Sequence, residues 1–175
     1  MAEISIRPAT REDAGLILRF IRALAVYERE PDAVEATEET LIEHGFGPRP
    51  YFECMIAECD GALAGFAFYF FDYSTWLGKP GLYLEDIFVD PEFRGRGIGR
   101  ALLERLAQIA LERGCARMKW EVLDWNEPAI EFYRAMGAEF LDEWRNVRLS
   151  GDALKRLAGR GDAPQGKSGV EVAAQ

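Results

Sequence analysis

The most constraining feature of this sequence is a glycine-rich segment between an apolar run and an amphipathic run. The apolar run covers residues 84–89, the segment reads Arg-Gly-Arg-Gly-Ile-Gly from Arg94 to Gly99, and Ala101-Leu102-Leu103 follows. This order predicts a strand, a tight loop and a helix. Glycine lets the backbone approach a bound group closely, and the first turn of a helix offers unpaired N–H donors. The segment therefore predicts a binding site for an anion such as a pyrophosphate.

Two well-known phosphate loops do not fit this segment. A P-loop needs Gly-Lys followed by Ser or Thr, whereas Gly99 is followed by Arg100 and Ala101. A dinucleotide fingerprint needs a further glycine at the position that Leu102 occupies. The sequence thus excludes both of these nucleotide sites at the loop.

Apolar periodicity and turn residues predict a mixed α/β chain. Alternating apolar residues predict strands at 4–6, 51–58, 62–73, 82–89 and 118–123, with Asp60-Gly61 as the hairpin turn between the second and third. One helix is predicted from an N-cap at Thr10, with Asp13 as its acidic partner, to Tyr27. Further helices are predicted over 37–44, 98–113 and 128–136, and a closing hairpin over 139–141 and 144–149.

Length and composition favour a single domain. At 175 residues, of which 49% are hydrophobic, the chain can bury one sizeable core, and we expect this domain to span residues 1–158. Residues 159–175 are rich in Gly, Ala, Ser and Gln, so we expect a disordered C-terminal tail. The 30 acidic and 21 basic residues give a net charge of −9, which argues against a sequence-independent nucleic-acid binder.

Cysteine and histidine usage predicts neither a metal site nor a secreted protein. Cys54, Cys59 and Cys115 are odd in number, and with His44 as the single histidine they form no Cys/His metal set. The N-terminus lacks a signal-peptide pattern, and no apolar run approaches the roughly 18 residues of a membrane span. We expect a cytoplasmic protein that binds no metal.

The pattern Arg-x-x-Gly-x-Gly from Arg94 to Gly99 resembles the pyrophosphate loop of the GCN5-related N-acetyltransferases, the GNAT superfamily. Within it, the chain is similar to the diamine (spermidine/spermine) and thialysine acetyltransferases over residues 6 to about 149. The matching segments are Ile6-Arg7-Pro8-Ala9-Thr10, Tyr27-Glu28, Gly45-Phe46-Gly47, Tyr83-Leu84-Glu85-Asp86, Asp124-Trp125-Asn126-Glu127-Pro128 and Phe132-Tyr133.

This resemblance implies a fold, a donor and a class of acceptor. The fold is a central twisted and mostly antiparallel sheet of six to seven strands, flanked by about four helices, with a splayed parallel strand pair at the cofactor site. The donor is acetyl-CoA, and the acceptor is a primary amine of a small cationic molecule that attacks the thioester directly in a ternary complex. The resemblance also implies a homodimer, for which Phe70, Phe71, Tyr73 and Trp76 offer aromatic contacts.

Two residues are the catalytic candidates. A primary amine with a pKa near ~10.4 is neutral only about 0.04% of the time at pH 7, so the site must remove its proton. Glu85, within an otherwise apolar strand, is the candidate base, directly or through water, and a structural carboxylate at a sheet edge is the alternative. Tyr133 is the candidate acid for the departing thiolate, because a phenol stays protonated at neutral pH. The resemblance implies this role for Tyr133, which would otherwise be a core aromatic.

The resemblance also implies the binding residues. The donor would lie against Ile87, Phe88, Val89, Arg94, Gly95, Arg96, Gly97, Ile98, Gly99, Arg100, Asn126, Glu127, Pro128 and Ala129. In the alternative interpretation, Arg94 and Arg96 are ordinary surface charges. The acceptor would contact Tyr27, Glu28, Glu85, Lys119, Trp120 and Glu121. Asp86, Glu28 and Glu121 are candidate partners for distal amines, whereas an inward-pointing Lys119 would repel a polyamine. A polyamine, a diamine and a thialysine-like amino acid therefore stay open as acceptors.

Three other functions fit parts of the sequence. A catalytically idle acyl-CoA-binding or regulatory module would keep the loop, although the presence of both Glu85 and Tyr133 argues against it. An acetyltransferase that acts on an antibiotic or a protein N-terminus would share the fold and the donor site. An interaction protein would use its acidic surface to bind a basic partner.

Overall fold

In the computed structural model, which describes residues 2–160, five strands and five α-helices follow one another along the chain. They are β1 (Ile4–Pro8), α1 (Ala14–Tyr27), α2 (Glu38–Phe46), β2 (Glu53–Cys59), β3 (Ala62–Ser74), β4 (Lys79–Val89), α3 (Ile98–Glu112), β5 (Met118–Lys119), α4 (Glu127–Ala135) and α5 (Gly151–Leu157). Single 3-10 turns at Arg11–Asp13 and Pro91–Phe93 precede α1 and the glycine loop. The predicted tail lies outside the described residues from position 161 onward. In the described part, no helix is both long and apolar enough to cross a membrane.

The sheet is mixed, as predicted. Its strands lie in the order β1-β2-β3-β4-β5, and the first three pairings are antiparallel. β4 and β5 are parallel and pair at only two positions, Leu82 with Met118 and Tyr83 with Lys119. β4 continues to Val89 beyond this short ladder. β5 was predicted to reach residue 123, but a strand needs a ladder partner and this one ends at Lys119.

The turn between β2 and β3 confirms the predicted hairpin. Cys59 pairs with Ala62, so Asp60 and Gly61 form a two-residue loop. Both have positive φ angles, 52° and 77°, the conformation that a type I′ turn requires at its two central positions. Asp60 Oδ1 also accepts a hydrogen bond from the backbone N–H of Glu3 at 2.8 Å. This local chemistry fixes the register of β2 and β3.

Polar contacts at the start of α1 tie it to the edge of the sheet. Asp13 Oδ2 accepts from the backbone N–H of Thr10 at 2.7 Å, as the predicted N-terminal pairing requires. The Arg7 guanidinium donates to both Asp13 carboxylate oxygens, at 2.7 and 2.9 Å, and to Glu58 Oε1 at 3.0 Å. The bond to Arg7 is the main cause that lowers the pKa of Asp13 to about 2. We call Arg7, Asp13 and Glu58 the edge network.

The sheet buries apolar side chains on both faces. On one face, the Phe20 ring of α1 stacks on Phe66 of β3 with 5.5 Å between centroids and meets Phe88 of β4 at 6.0 Å. α3 packs against the sheet through Ile98, Leu102, Leu103, Leu106, Ile109 and Ala110. Because both faces are covered, Cys54–Ala57 in β2 are consecutively buried. Each large apolar side chain contributes roughly 1.5–3 kcal/mol of burial free energy.

A glycine in β3 sets the approach of β3 to the end of β4. Gly65 pairs with Val89, and a Cβ added to Gly65 would collide with the carbonyl oxygen of Phe88 and lie 3.2 Å from the Val89 Cα. Only a residue without a side chain fits there. The path of β4 at residues 88–89 therefore depends on Gly65.

Internal contacts divide the chain into two units, Met1–Asp124 and Trp125–Gln175. The second unit holds α4 and α5 within its described residues. The closing hairpin predicted over 139–149 was wrong, since residues 138–150 contain no strand. Val147 is 93% exposed and Trp144 60% exposed, so the alternating apolar pattern there buries no sheet face. The described sheet has five strands as a result, not six to seven.

Candidate active site

The predicted anion loop has the geometry of a backbone cradle. Gly95 and Gly97 have φ angles of 74° and 88°, a conformation that residues with side chains rarely adopt. No atom lies within 4 Å of a Cβ added to either glycine, so the space above the loop is open. Gly97 is the N-cap of α3, and the first helical bond runs from Ala101 N–H to Gly97 O at 3.0 Å. The N–H groups of residues 98–100 precede that bond and can bind an anion.

The three loop arginines form contacts of their own. Arg94 Nε donates to Val89 O at 3.0 Å, and its guanidinium lies 4.9 Å from the Tyr27 ring centroid. Arg96 lies 5.4 Å from the Phe93 ring centroid, and Arg100 pairs with Glu104 at 2.8 Å. Arg94 thus joins the end of α1 to the end of β4. Arg96, between the two cradle glycines, and Arg100, in the first turn of α3, are both exposed.

The end of β4 has one backbone edge outside the sheet ladder. Ile87, Phe88 and Val89 pair with β3 on one side, whereas the pairing with β5 stops at Tyr83. On the β5 side, therefore, residues 87–89 have no strand partner within the described chain. An unpaired strand edge of this kind offers N–H and C=O groups to an extended ligand. The edge leads directly into the glycine loop.

Four carboxylates of the first unit are close enough for their charges to interact. They are Glu28 after α1, Glu85 and Asp86 in β4, and Glu121 after β5. Desolvation raises the pKa of Glu28, and desolvation with the charge of Glu121 raises the pKa of Glu85. Desolvation first, and then the charges of Glu85 and Glu28, raise the pKa of Asp86 to about 6. Within residues 2–160, none of the four forms an ion pair. We call them the acidic cluster.

Lys119 and Glu121 are each held by a polar contact with a residue of β3 or β4. Lys119 Nζ forms an ion pair with Asp72 of β3 and lies 5.8 Å from the Tyr83 ring centroid. The Tyr83 hydroxyl donates to Glu121 Oε1 at 3.0 Å, and its ring stacks on Phe70 at 4.9 Å. Lys119 is therefore neutralised by Asp72, and the repulsion predicted for a free cation at this position is reduced. Trp120, between Lys119 and Glu121, is half-buried.

The second unit carries the remaining predicted site residues. α4 begins with Glu127 and Pro128 after an N-cap at Asn126, whose carbonyl accepts from the N–H groups of Ala129 and Ile130 at 3.0 Å each. Tyr133 lies on this helix, is 6% exposed, and has its ring centroid 5.5 Å from that of Phe132. The predicted donor segment 126–129 and the predicted acid thus belong to one helix.

The cysteines do not have the environment of a covalent nucleophile. All three are buried and free. Desolvation raises the pKa of Cys54 and of Cys115, which disfavours the thiolate. His44 packs edge-on against Tyr51 at 5.5 Å between ring centroids. In the part of the chain that the structure describes, no group of three or more His, Cys, Asp or Glu residues is arranged to hold a metal ion.

The family is shown by a comparison with family models. The model of the acetyltransferase (GNAT) family matches residues 18–138, which include most of α1, the whole of β4, the glycine loop and Tyr133. The chain belongs to the GNAT acetyltransferase family. It is accordingly an N-acetyltransferase, as its sequence predicted, and the family uses an acyl-CoA donor.

Two GNAT relatives match nearly the whole chain. A thialysine N-epsilon-acetyltransferase of Sus scrofa is 43% identical over 171 residues, which are 91% of this chain and all of the relative. An L-ornithine N5-acetyltransferase of Arabidopsis thaliana is 32% identical over 87% of this chain and 86% of its own. These matches agree with the predicted similarity to the diamine and thialysine group.

Solved structures show the same fold. An integron cassette protein from the mobile metagenome of V. cholerae superimposes with a TM-score of 0.75 at 26% identity, covering 89% of this chain and 97% of its own. An aminoglycoside N-acetyltransferase solved in complex with CoA has a TM-score of 0.67 at 21% identity, covering 86% and 96%. The mixed sheet is therefore the GNAT fold.

Sequence reasoning missed one member of the site region. Asp72 was assigned no role, yet it is the ion-pair partner of Lys119. Asp72 lies 47 positions before Lys119, and only the pairing of β3 with β4 and of β4 with β5 brings them together. The one local signal was an acidic residue among the aromatic residues of the predicted strand.

Proposed function

We propose that this GNAT enzyme transfers the acetyl group of acetyl-CoA to a primary amine of a small cationic acceptor, such as a diamine, a polyamine or a thialysine-like amino acid. The observation that carries this proposal is the acidic cluster, whose four carboxylates have no ion-pair partner within residues 2–160. Glu28, Glu85 and Asp86 have raised pKa values, and such carboxylates gain most from a ligand that brings positive charge. The similarity to enzymes named for thialysine and ornithine supports the same acceptor class.

On the donor side, the proposal uses backbone groups first. The free edge of Ile87–Val89 would hold the pantetheine arm and orient the thioester carbonyl. The N–H groups at the start of α3 and the open space over Gly95 and Gly97 would receive the pyrophosphate. Arg96 and Arg100 would add positive charge beside it, and the segment 126–129 is assigned to the donor by resemblance.

On the acceptor side, we propose that Glu85 accepts the proton of the reacting amine. Its raised pKa makes the carboxylate of Glu85 a stronger base than a glutamate with an ordinary pKa. A carboxylate that attracts an ammonium also stabilises its protonated form, so binding and deprotonation conflict at a single group. We propose that different carboxylates bind and deprotonate the acceptor. Glu28, Asp86 and Glu121 would bind its distal positive charges, and Glu85 would accept the proton of the reacting amine directly or through water.

Tyr133 is our candidate for the acid. A phenol with a pKa near ~10 can donate to a thiolate whose conjugate acid has a pKa near ~8.5. The amine would attack the thioester carbon, the C–S bond would break, and the thiolate would leave as CoA after taking a proton. Direct attack in a ternary complex suits a protein whose cysteines are buried and disfavour the thiolate.

A panel of amines tests the proposal. CoA release is measured with acetyl-CoA and with spermidine, 1,4-diaminobutane, thialysine, ornithine, an aminoglycoside and a peptide with a free N-terminus. We expect turnover with one or more of the small dications. Turnover with only the aminoglycoside or the peptide would contradict the acceptor class, whereas donor binding without CoA release from any amine would favour an idle acyl-CoA module.

The role of Tyr133 has its own test. We expect Tyr133→Phe to lower kcat by roughly 10²-fold, because the thiolate loses its proton donor. Phe132→Tyr in the same helix is the matched control for helix packing. The measurement is CoA release, with thermal unfolding to verify the fold. A folded Tyr133→Phe variant with near wild-type kcat would remove Tyr133 from the mechanism.

Assembly, location and domain extent are also proposals. Trp76, in the turn between β3 and β4, is 88% exposed, and Tyr73, near the end of β3, is 63% exposed; we propose that they contribute to a homodimer in the cytoplasm. Sedimentation that gives only the 19.7 kDa species would contradict the dimer. We also propose that residues 1–158 act as one N-acetyltransferase domain.

A further inference from the structure

The ladder between β4 and β5 ends two residues before Glu85 in one strand and two residues before Glu121 in the other segment. Tyr83 pairs with Lys119, where β5 ends, whereas β4 continues to Val89. Glu85 has no partner in the ladder of β4 with β3, because the register shifts at this position, and Glu121 lies two positions after the end of β5. The two carboxylates are close enough for the charge of Glu121 to act on Glu85. Desolvation first, and then repulsion by the like charge of Glu121, raise the pKa of Glu85.

Lys119 could relieve this repulsion, but its charge is used elsewhere. It is two positions from Glu121, yet Lys119 Nζ pairs with Asp72. Glu121 instead accepts a hydrogen bond from the Tyr83 hydroxyl at 3.0 Å. A hydroxyl donor positions a carboxylate without neutralising it, and a carboxylate has about four acceptor sites. Glu121 therefore keeps its negative charge and most of its capacity to bind a cation.

Asp72 sits at this position at a cost. Its side chain is 22% exposed, and its Oδ1 atom is buried without a hydrogen-bond partner. Asp72 pairs with Gly81 across β3 and β4, and a Cβ on Gly81 would collide with the same Oδ1 atom. A buried acceptor without a hydrogen-bond partner destabilises the folded state. The ion pair with Lys119 is the contact that offsets this cost.

We infer that Asp72 is a positioning residue for acceptor specificity, which holds Lys119 away from Glu121 so that Glu121 can bind the second positive charge of a dicationic acceptor. Tyr83 holds Glu121 in place. Lys119, if it were not paired with Asp72, would compete with the acceptor for Glu121. This inference rests on the proposed function and adds the group that distinguishes a dication from a monocation.

The test compares two acceptors of equal chain length, 1,4-diaminobutane and 1-aminobutane, with acetyl-CoA as the donor. In Asp72→Asn, Lys119 is released and pairs with Glu121. We expect KM for the diamine to rise roughly three- to tenfold, with kcat and the constants for the monoamine unchanged. In the double variant Asp72→Asn/Lys119→Met, the competitor is gone, and we expect the diamine KM to return toward the wild-type value.

Three results would overturn the inference. These are an unchanged diamine KM in Asp72→Asn, an equal loss for both amines, and a loss that Lys119→Met does not restore. Glu121→Gln is the second variant, should Asp72→Asn unfold. It leaves the Asp72–Lys119 pair intact and is expected to raise the diamine KM to a similar extent, so an unchanged KM would also overturn the inference. Wild-type enzyme that acetylates neither amine would contradict the proposed function itself, whereas turnover without these variant effects would contradict only the role of Asp72.

Discussion

Asp13 and Asp86 show how differently one molecule uses the same side chain. Asp13 belongs to the edge network, where Arg7 donates two hydrogen bonds to its carboxylate and lowers its pKa to about 2. Asp86 belongs to the acidic cluster, where desolvation and the charges of Glu85 and Glu28 raise its pKa to about 6. The edge network contains its own cation. The acidic cluster contains none among residues 2–160, which is the arrangement expected of a site that receives its cation from a ligand.

The two regions should therefore respond oppositely to pH. A lowered folded-state pKa gives stability that is present above the unfolded pKa and is lost as the pH falls through the folded value. For Asp13 the loss occurs between its ordinary 3.8 and about 2. A raised folded-state pKa gives stability that is present below the unfolded value and is lost as the pH rises, which for Asp86 occurs between 3.8 and about 6.

The largest expected effect is on kcat, which should depend on the acidic cluster and not on the edge network. Glu85→Gln should lower kcat by roughly 10²-fold, because the amine loses its proton acceptor. Glu58→Gln, a matched change in the edge network, should leave kcat unchanged, because Glu58 lies at the sheet edge with Arg7. CoA release with saturating acceptor checks both variants. Equal kcat values for the two would abolish the functional distinction between the regions.

The second effect is on stability. Arg7→Met removes the cation of the edge network, and we expect the free energy of unfolding to fall by about 2 kcal/mol at pH 7. The loss should diminish as the pH falls from 3.8 toward 2, because Asp13 then becomes protonated in the wild type as well. Urea unfolding at several pH values measures it. A loss that does not change with pH would show that Arg7 stabilises by packing rather than by charge.

The smallest effect has the opposite sign. Asp86→Asn removes a charge that the folded state disfavours, and we expect it to increase the free energy of unfolding by about 1–2 kcal/mol at pH 8. The gain should shrink as the pH falls through about 6, where Asp86 takes up a proton in the folded wild type. Denaturant unfolding without any amine present is the measurement. Destabilisation at pH 8 would mean that Asp86 has a favourable partner.

Features set by local chemistry were predicted from the sequence. The Asp60-Gly61 turn, the Thr10–Asp13 pairing and the tight glycine loop each depend on residues within a few positions of one another. Gly97 illustrates this, because a positive φ at the N-cap of α3 is a property of glycine itself. The anion loop could therefore be predicted before any tertiary contact was known.

Features set by distant partners could not be predicted in the same way. Residues 144–149 alternate like a strand, but no strand pairs with them in the described part of the chain. α5 was missed, although Ser150 at its N-cap, Asp152 in its first turn and Lys155 and Arg156 in its last turn are helix signals. The ion pair of Lys119 with Asp72 depends on the register of three strands. Pairing partners far apart in sequence leave no periodic signal.

The proposed donor site depends on Gly65, although Gly65 is not one of the residues assigned to bind the donor. It carries no functional group, but any side chain there would displace the Phe88 carbonyl from its place at the end of β4. A substitution at Gly65 would inactivate the enzyme without changing a catalytic or binding residue, because it would move the end of β4 that is proposed to bind the donor. For anyone who screens random variants of this enzyme, an inactive clone at position 65 would thus report on the shape of the scaffold.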